Sequence, residues 1–179
     1  MNIFHYIKLF KLLADSSSEN LVGHVLLDNG WTISVAESCT GGLLSSLLTD
    51  VSGSSLYIHE NFVTYANSAK IKFLNVKEET LQKYGAVSSQ TAYEMVQGLL
   101  CNTSSDFAIA TTGIAGPGGG SAEKPVGLVY IGIGSSDGIE TYKYNVSSSY
   151  PRILIKYLFA KHAVKLLCNF LKNKQRKIK

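Results

Sequence analysis

The stretch WTISVAESCTGGLLSSLL, residues 31–48, changes from strand-like to helix-like patterning within a few positions. Residues 31–36 are short and partly β-branched, which predicts a strand. Residues 40–48 carry four leucines on one side of a predicted helix. The loop between them leads from the strand into the helix, which is the connection typical of α/β sheets.

Strands and helices continue to alternate on both sides of this stretch. The further predicted helices cover residues 21–29, ending at Gly30, 67–84 with a break near Asn75, 88–100 with Ser88 as N-cap, and 151–171. The further predicted strands cover residues 56–65, 106–112, 126–133 and 139–146, the last two joined by a hairpin turn at 134–138. This order predicts a three-layer α/β/α domain with a mixed sheet. Sites in such sheets form where strands end in loops that lead into helices.

The composition excludes several classes of protein. The chain of 179 residues is 45% hydrophobic and 17% charged, which suits one folded domain rather than a disordered chain. No apolar run reaches the ~18 residues that a membrane span needs, so no membrane partner is expected. The three cysteines form no CxxC pair and no Cys/His cluster, so neither a disulfide framework nor a metal site is expected. A reducing, cytoplasmic location fits this cysteine usage.

Charge is distributed unevenly along the chain. Residues 143–179 carry ten basic and no acidic side chains, whereas residues 1–142 carry seven basic and thirteen acidic ones. Residues 172–179 are interpreted as a basic tail, solvated and frayed, so no nucleic-acid partner is expected. The alternative is a nucleic-acid accessory protein that uses this tail. Residues 1–20 are expected to be a loosely attached N-terminal extension with a short amphipathic helix, which leaves residues 21–171 as the predicted domain.

Ser38 is the first candidate functional residue, because it lies at the predicted start of a helix. Free N–H groups and the helix dipole stabilise negative charge there, which would favour both a nucleophilic serine and the oxyanion that it forms. Thr40, Gly41 and Gly42 follow, and glycines let a substrate approach the backbone closely. The alternatives are that Ser38 or Thr40 is only an N-cap, and that Cys39 is the nucleophile.

Two further segments could contribute to a site. The sequence TGIAGPGGG, residues 112–120, follows a predicted buried strand and is rich enough in glycine to wrap a ligand, although it matches neither a Walker A loop nor a GxGxxG fingerprint. Lys70 follows Tyr65 across a strand-to-helix transition, and a partly buried lysine with a lowered pKa can act as the base of a serine. A flexible surface loop, a core tyrosine and a solvated lysine are the alternatives.

Five motifs, in order along the chain, resemble the C-terminal domain of the CinA (competence/damage-inducible protein) family. They are AESCTGG at 36–42, VTY at 63–65 with Lys70, YGAVS at 84–88, TGIAGP at 112–117 and KPVG at 124–127. The resemblance, over about residues 21–171, implies a three-layer α/β/α sandwich with a mixed, about five-stranded sheet. Stand-alone copies of the domain are similar to nicotinamide-nucleotide amidase, which converts nicotinamide mononucleotide to nicotinate mononucleotide and ammonia in pyridine nucleotide salvage.

The resemblance also implies roles for single residues. Ser38 would be the nucleophile, Lys70 its base, and Tyr65 a relay or orienting group. The residues that would meet the substrate are Thr40, Gly41, Gly42, Thr112, Gly113, Gly116 and Arg152. The expected partner is a small nucleotide, with no metal or cofactor, and a homo-oligomer is expected. A non-catalytic nucleotide-binding or competence-associated module of the same family is the alternative.

Three positions depart from the family pattern. Glu60-Asn61 stand in place of two glycines, Tyr150-Pro151 in place of Gly-Asp before Arg152, and Lys156 in place of a second arginine. The residues implied in catalysis are retained, so these changes bear on substrate fit.

Overall fold

A mixed five-stranded sheet forms the centre of the protein. The structure, a computed structural model, describes residues 15–178. The strands, in chain order, are β1 (Ile33–Glu37), β2 (Ile58–Val63), β3 (Phe107–Gly113), β4 (Leu128–Ser135) and β5 (Gly138–Asn145). They lie in the order β2-β1-β3-β4-β5, with β1 parallel to β2 and β3, and with β4 antiparallel to β3 and β5. This arrangement confirms the predicted α/β fold and its mixed sheet.

Helices cover both faces of the sheet and complete the three layers. They are α1 (Ser17–Asn29), α2 (Leu43–Thr49), α3 (Asn67–Leu74), α4 (Glu78–Tyr84), α5 (Ser89–Asn102) and α6 (Arg152–Ile178), with a short 3₁₀ turn at Ser54–Leu56. α1 and α2 pack against α6 on one face, while α3 and α4 pack against α5 on the other. The predicted break at Asn75 is confirmed, because this residue has a left-handed backbone between α3 and α4.

Two hydrophobic cores lie on opposite faces of the sheet, because side chains alternate along each strand. In β1, Ile33 and Val35 belong to the core beneath α1, α2 and α6, whereas Ala36 belongs to the core beneath α5. A Cβ added at Gly132 in β4 would lie 2.6 Å from the carbonyl oxygen of Ala92 in α5. Small residues on this face therefore let α5 pack close to the sheet.

The amino end of the domain begins earlier than predicted. α1 starts at Ser17, four residues before the predicted helix start at residue 21. Glu19, assigned by sequence to the extension, is 2% exposed and pairs with Lys161 of α6 at 2.6 Å. Residues 17–20 therefore belong to the packed domain. Of the rest of the predicted extension, residues 15 and 16 precede α1, and residues 1–14 lie outside the described residues.

The carboxyl end is also more ordered than predicted. α6 continues to Ile178, so the expected frayed tail is helical over most of its length. Lys174 in this part of α6 pairs with Asp137, in the turn between β4 and β5, at 2.6 Å. An ion pair between distant segments leaves no mark in local periodicity, which explains why the sequence did not predict it.

Neither a bilayer-spanning helix nor a cluster of metal-ligating side chains occurs within residues 15–178. No helix in this part of the chain is both long enough and apolar enough to cross a bilayer. Within the same residues, no group of three or more His, Cys, Asp or Glu side chains is placed to hold a metal ion.

Candidate active site at the carboxyl end of the sheet

The candidate residues meet where the parallel strands end. β1 lies between β2 and β3, with Glu37 paired to Val63 on one side and to Thr111 on the other. Ser38 continues from β1, and its N–H donates to the Thr111 carbonyl oxygen at 3.0 Å. The carboxyl ends of three parallel strands thus bring together loops that are far apart in sequence, as expected for this type of sheet.

A cavity of about 270 Å³ opens at this edge of the sheet. The predicted site residues that line it are Ser38, Tyr65, Lys70, Thr112, Gly113, Gly116 and Arg152. Ala86 and Val87, from the segment between α4 and α5, line it too, although the sequence analysis assigned them no role. The lining includes Lys70 and Arg152 but no Asp or Glu, so the cavity favours an anionic ligand.

Ser38 and Lys70 are in direct contact. Lys70 Nζ lies 3.0 Å from Ser38 Oγ, 2.7 Å from the Thr64 carbonyl oxygen and 3.4 Å from that of Tyr65. The Lys70 side chain is 1% exposed, and it forms no ion pair with any residue of the described chain. Burial lowers the pKa of Lys70 to about 8, because an unpaired ammonium loses its hydration there.

The contacts of Lys70 accommodate both its charged and its neutral form, and the ammonium form donates to all three oxygens. A neutral amine has two N–H groups and one lone pair, whereas the ammonium form has three donors and no acceptor. In the neutral form, the two carbonyl oxygens of Thr64 and Tyr65 accept from the two N–H groups, since a carbonyl cannot donate. The lone pair then faces Ser38 Oγ and can accept its hydroxyl proton. This is the geometry of a general base beside a nucleophile.

The structure corrects the expectation that Ser38 lies at a helix start. α2 begins at Leu43 rather than at residue 40, because Gly41 and Gly42 have positive φ angles of 62° and 96° and form a turn. The carboxylate of Glu37 accepts from the N–H groups of Gly42, Leu44 and Ser45 at 2.8–3.1 Å, and from Ser45 Oγ at 2.6 Å. Glu37 therefore takes up the donors that were expected to stabilise charge at Ser38.

Glu37 anchors the turn that carries the nucleophile, so we expect Glu37→Gln to destabilise the protein. The amide offers one acceptor oxygen in place of two. Its NH₂ group would face the two donors that bond one of the carboxylate oxygens in the wild type. Each buried group left without a partner costs ~1–3 kcal/mol, so the free energy of unfolding should fall by about 2–4 kcal/mol. Urea denaturation measures this change, with the exposed Glu60→Gln as the control. Equal stability of the two variants would contradict the anchoring role.

Cys39 is a poor rival to Ser38 as nucleophile. Its side chain is 5% exposed, although the residue contributes to the lining of the cavity. Burial raises the pKa of Cys39 to about 12, with the nearby Glu37 carboxylate adding to the effect. The reactive form of cysteine is the thiolate, which is scarce near neutral pH when the pKa is so high.

Tyr65 and Arg152 contact each other across the mouth of the cavity. Arg152 Nη1 donates to the Gly116 carbonyl oxygen at 2.6 Å, and Nη2 donates to the Tyr65 hydroxyl at 3.1 Å. The Tyr65 hydroxyl forms no hydrogen bond with Ser38 or Lys70; the carbonyl of Tyr65 is the atom that approaches Lys70. The structure therefore does not place Tyr65 as a proton relay between the two.

The remaining predicted substrate-binding residues divide into two groups. Thr112 Oγ1 donates to the Ala86 carbonyl oxygen at 2.6 Å, which ties the end of β3 to the segment before α5. A Cβ at Gly113 would lie 2.5 Å from the Leu128 carbonyl oxygen, so only glycine fits there. Thr40, Gly41 and Gly42 do not line the cavity. The Thr40 hydroxyl is fully buried and bonded to that of Thr111 at 2.8 Å.

Comparisons with known proteins agree with this architecture. The model of the CinA C-terminal domain family matches residues 15–171. A CinA-like protein of Chloroherpeton thalassium is 47% identical over 159 residues, covering 88% of this chain and 38% of that protein. A CinA-like protein of Endomicrobium trichonymphae is 51% identical over 130 residues, covering 73% of this chain and 30% of that protein. The chain thus spans about a third of the length of these curated relatives.

Solved structures show the same fold over nearly their whole length. The competence/damage inducible protein CihA from Agrobacterium tumefaciens has a TM-score of 0.80 at 42% identity, covering 87% of this chain and 95% of that one. A competence-damaged protein (CinA) superfamily protein from Klebsiella pneumoniae has a TM-score of 0.83 at 30% identity, with 88% and 98% covered.

Proposed function

The chain belongs to the CinA C-terminal domain family, and from this premise we propose that it is a serine amidohydrolase that converts nicotinamide mononucleotide to nicotinate mononucleotide and ammonia. One observation carries the proposal above all others. Ser38 Oγ lies 3.0 Å from the Nζ of a buried, unpaired lysine, at the edge of a cavity whose lining contains the guanidinium of Arg152 but no carboxylate. A serine beside a lysine of lowered pKa is an activated nucleophile.

The proposed reaction begins at the carboxamide carbon of the substrate. Ser38 Oγ attacks this carbon while its proton moves to the lone pair of Lys70 Nζ. Lys70 then gives the proton to the departing nitrogen, and ammonia leaves an acyl-enzyme. Water attacks the acyl group, with Lys70 again taking the proton and returning it to Ser38 Oγ as the acid product is released. The same base serves both half-reactions, which is the usual economy of covalent acyl transfer.

The donors that stabilise the oxyanion must come from outside the start of α2, because the Glu37 carboxylate already accepts from the N–H groups there. Cys39 follows the nucleophile and lines the cavity, and its N–H makes no hydrogen bond to a backbone carbonyl of residues 15–178. We assign this N–H to the oxyanion of the tetrahedral intermediate. One such donor contributes about 3–4 kcal/mol to transition-state stabilisation.

Phosphate recognition is assigned to Arg152, which opens α6 at the cavity mouth. Arg152→Ala is expected to raise KM for nicotinamide mononucleotide roughly 10- to 100-fold, since a charge-assisted contact is worth about 1.5–3 kcal/mol. Hydrolysis of the riboside, which lacks the phosphate, should hardly change. Steady-state kinetics on both substrates measure this, with the exposed Arg176→Ala as the matched control. Equal effects on nucleotide and riboside would place the phosphate elsewhere.

A direct assay tests the proposed activity. The purified chain is incubated with nicotinamide mononucleotide, and nicotinate mononucleotide and ammonia are measured together. Stoichiometric appearance of both products supports the amidohydrolase. Binding of the nucleotide without release of ammonia would instead favour the non-catalytic nucleotide-binding module.

A further inference from the structure

The guanidinium of Arg152 joins three separate parts of the chain at the cavity mouth. Arg152 opens α6, Gly116 lies in the glycine-rich loop after β3, and Tyr65 lies in the connection between β2 and α3. The two hydrogen bonds of Arg152, to the Gly116 carbonyl and to the Tyr65 hydroxyl, use different terminal nitrogens. Because a guanidinium has five N–H groups in one plane, these two contacts fix its orientation and leave three donors for a ligand.

Among residues 15–178, no acidic side chain forms an ion pair with Arg152. Its bonded partners are a neutral carbonyl and a neutral hydroxyl, and the cavity lining contains no Asp or Glu. The positive charge of Arg152 is therefore oriented but not neutralised, which suits a group that is to meet an anion. A carboxylate in the position of the Tyr65 hydroxyl would compete with a phosphate for the same guanidinium.

Tyr65 is well placed to orient the Arg152 guanidinium and poorly placed for proton transfer. Its side chain is 62% exposed, and its hydroxyl contacts Arg152 rather than Ser38 or Lys70. Lys70 meets Ser38 Oγ directly, and its two remaining contacts are backbone carbonyls. Because Ser38 and Lys70 are already in hydrogen-bond contact, proton transfer between them needs no intervening group.

We propose that Tyr65 is a specificity-determining positioning residue, whose hydroxyl holds the Arg152 guanidinium ready for the phosphate of the substrate. The inference rests on the proposed function for the identity of the substrate. It predicts that the Tyr65 hydroxyl acts on the binding of phosphate-bearing ligands and not on the chemical step. The backbone carbonyl of Tyr65, which contacts Lys70, is retained when the tyrosine side chain is substituted.

Tyr65→Phe removes only the hydroxyl and therefore tests the proposal. We expect KM for nicotinamide mononucleotide to rise roughly 3- to 10-fold, the range set by one side chain that must become ordered on binding. kcat for the nucleotide, and both constants for nicotinamide riboside, should stay within twofold of the wild type. Tyr93→Phe, an exposed tyrosine on α5, is the matched control and should change nothing. A fall in kcat of tenfold or more on both substrates would make Tyr65 a proton-transfer group and overturn the proposal, as would unchanged constants throughout.

A double-mutant cycle asks whether Tyr65 acts through Arg152. On the Arg152→Ala background, adding Tyr65→Phe should have no further effect on KM for the nucleotide, because the group to be positioned is gone. Independent, multiplying effects of the two substitutions would overturn the proposal. Unchanged circular dichroism and unfolding midpoints of the single variants establish that their folds are intact.

Binding of ribose 5-phosphate separates failure of this inference from failure of the proposed function. This probe carries the phosphate but no amide, so calorimetry reports on the phosphate contacts whether or not the protein is an amidase. Wild type should bind ribose 5-phosphate more tightly than ribose, and Tyr65→Phe should weaken that binding by the same factor as it raises KM. If the wild type binds ribose 5-phosphate in this way but releases no ammonia from the nucleotide, the amidase assignment fails and the role of Tyr65 stands. If the wild type shows no preference for the phosphate, the role of Tyr65 fails.

Discussion

Ser38→Ala should lower kcat for nicotinamide mononucleotide by at least about 10³-fold, the scale on which loss of a serine nucleophile acts in hydrolases. The hydroxyl is the only group that the substitution removes, and its contact within the protein is with Lys70 Nζ. The turn is held by Glu37 and by the Ser38 N–H, which alanine retains. The unfolding midpoint should therefore remain close to that of the wild type while turnover is lost.

Cys39→Ala separates the two neighbouring nucleophile candidates. It keeps the backbone N–H assigned to the oxyanion and removes a thiol whose pKa is raised to about 12 by burial. Turnover should stay within severalfold of the wild type. An inactive Cys39→Ala protein beside an active Ser38→Ala protein would reverse the assignment. Acyl-enzyme trapping with rapid-quench mass spectrometry then identifies the modified residue directly.

The elements of the fold could be predicted where local pattern and tertiary packing agree. The predicted strand at residues 106–112 is buried along its length and corresponds closely to β3. The predicted hairpin turn at 134–138 has glycines at its ends and corresponds closely to the turn between β4 and β5. Ser88 caps α5 as expected, with its hydroxyl accepting from the Thr91 N–H at 3.1 Å. Capping depends on neighbours within one helical turn, so it is visible in the sequence.

The boundaries that the sequence misplaced depend on contacts between distant residues or on backbone conformation. Residues 40–42 have a helix-like pattern, but α2 begins only at Leu43, because two consecutive glycines adopt positive φ and the Glu37 carboxylate caps the helix from the end of β1. α1 and α6 extend beyond their predicted ends beside the ion pairs of Glu19 and Lys174. Periodicity describes one element at a time and carries no information on such pairs.

The candidate site also combines residues that the sequence indicates with contacts that only the fold reveals. From spacing alone, Lys70 fitted a solvated helix residue as well as a base, and only the fold reveals that it is buried against Ser38. Ser38, Tyr65 and Lys70 were candidates from the residues alone, whereas their roles, and Arg152, came from the resemblance to a family, and the comparisons confirm membership of that family. Neither source indicated that the Tyr65 hydroxyl contacts Arg152, because that contact joins positions 87 residues apart in the chain. Glu37 belongs to the AESCTGG motif at residues 36–42, but its hydrogen-bond partners are evident only from the geometry of the turn.

Lys70→Arg should lower kcat by about 10²- to 10⁴-fold, the usual contribution of a positioned general base. Arginine keeps the positive charge, but its guanidinium does not lose a proton in the working range of pH and so cannot accept one from Ser38. Lys72→Arg, an exposed position on the same helix, is the matched control and should retain full activity. Because a guanidinium is larger than an ammonium and the site is buried, Lys70→Met is measured as well. It is expected to fold and to be equally inactive.

The pH dependence of the wild type provides the second readout for Lys70. Burial lowers the pKa of Lys70 from 10.5 to about 8, and the neutral amine is the form that accepts the proton. kcat/KM should therefore rise with pH, in proportion to the neutral fraction, and level off above about pH 8. Because the native state loses this proton at lower pH than the unfolded state does, Lys70 also makes the free energy of unfolding rise between about pH 8 and 10.5, and Lys70→Met should lose this part of the rise. Near-normal turnover of Lys70→Arg, or a kcat/KM that falls as pH rises through 8, would show that Lys70 supplies only a positive charge. Lys70 would then no longer be the base in the proposed mechanism.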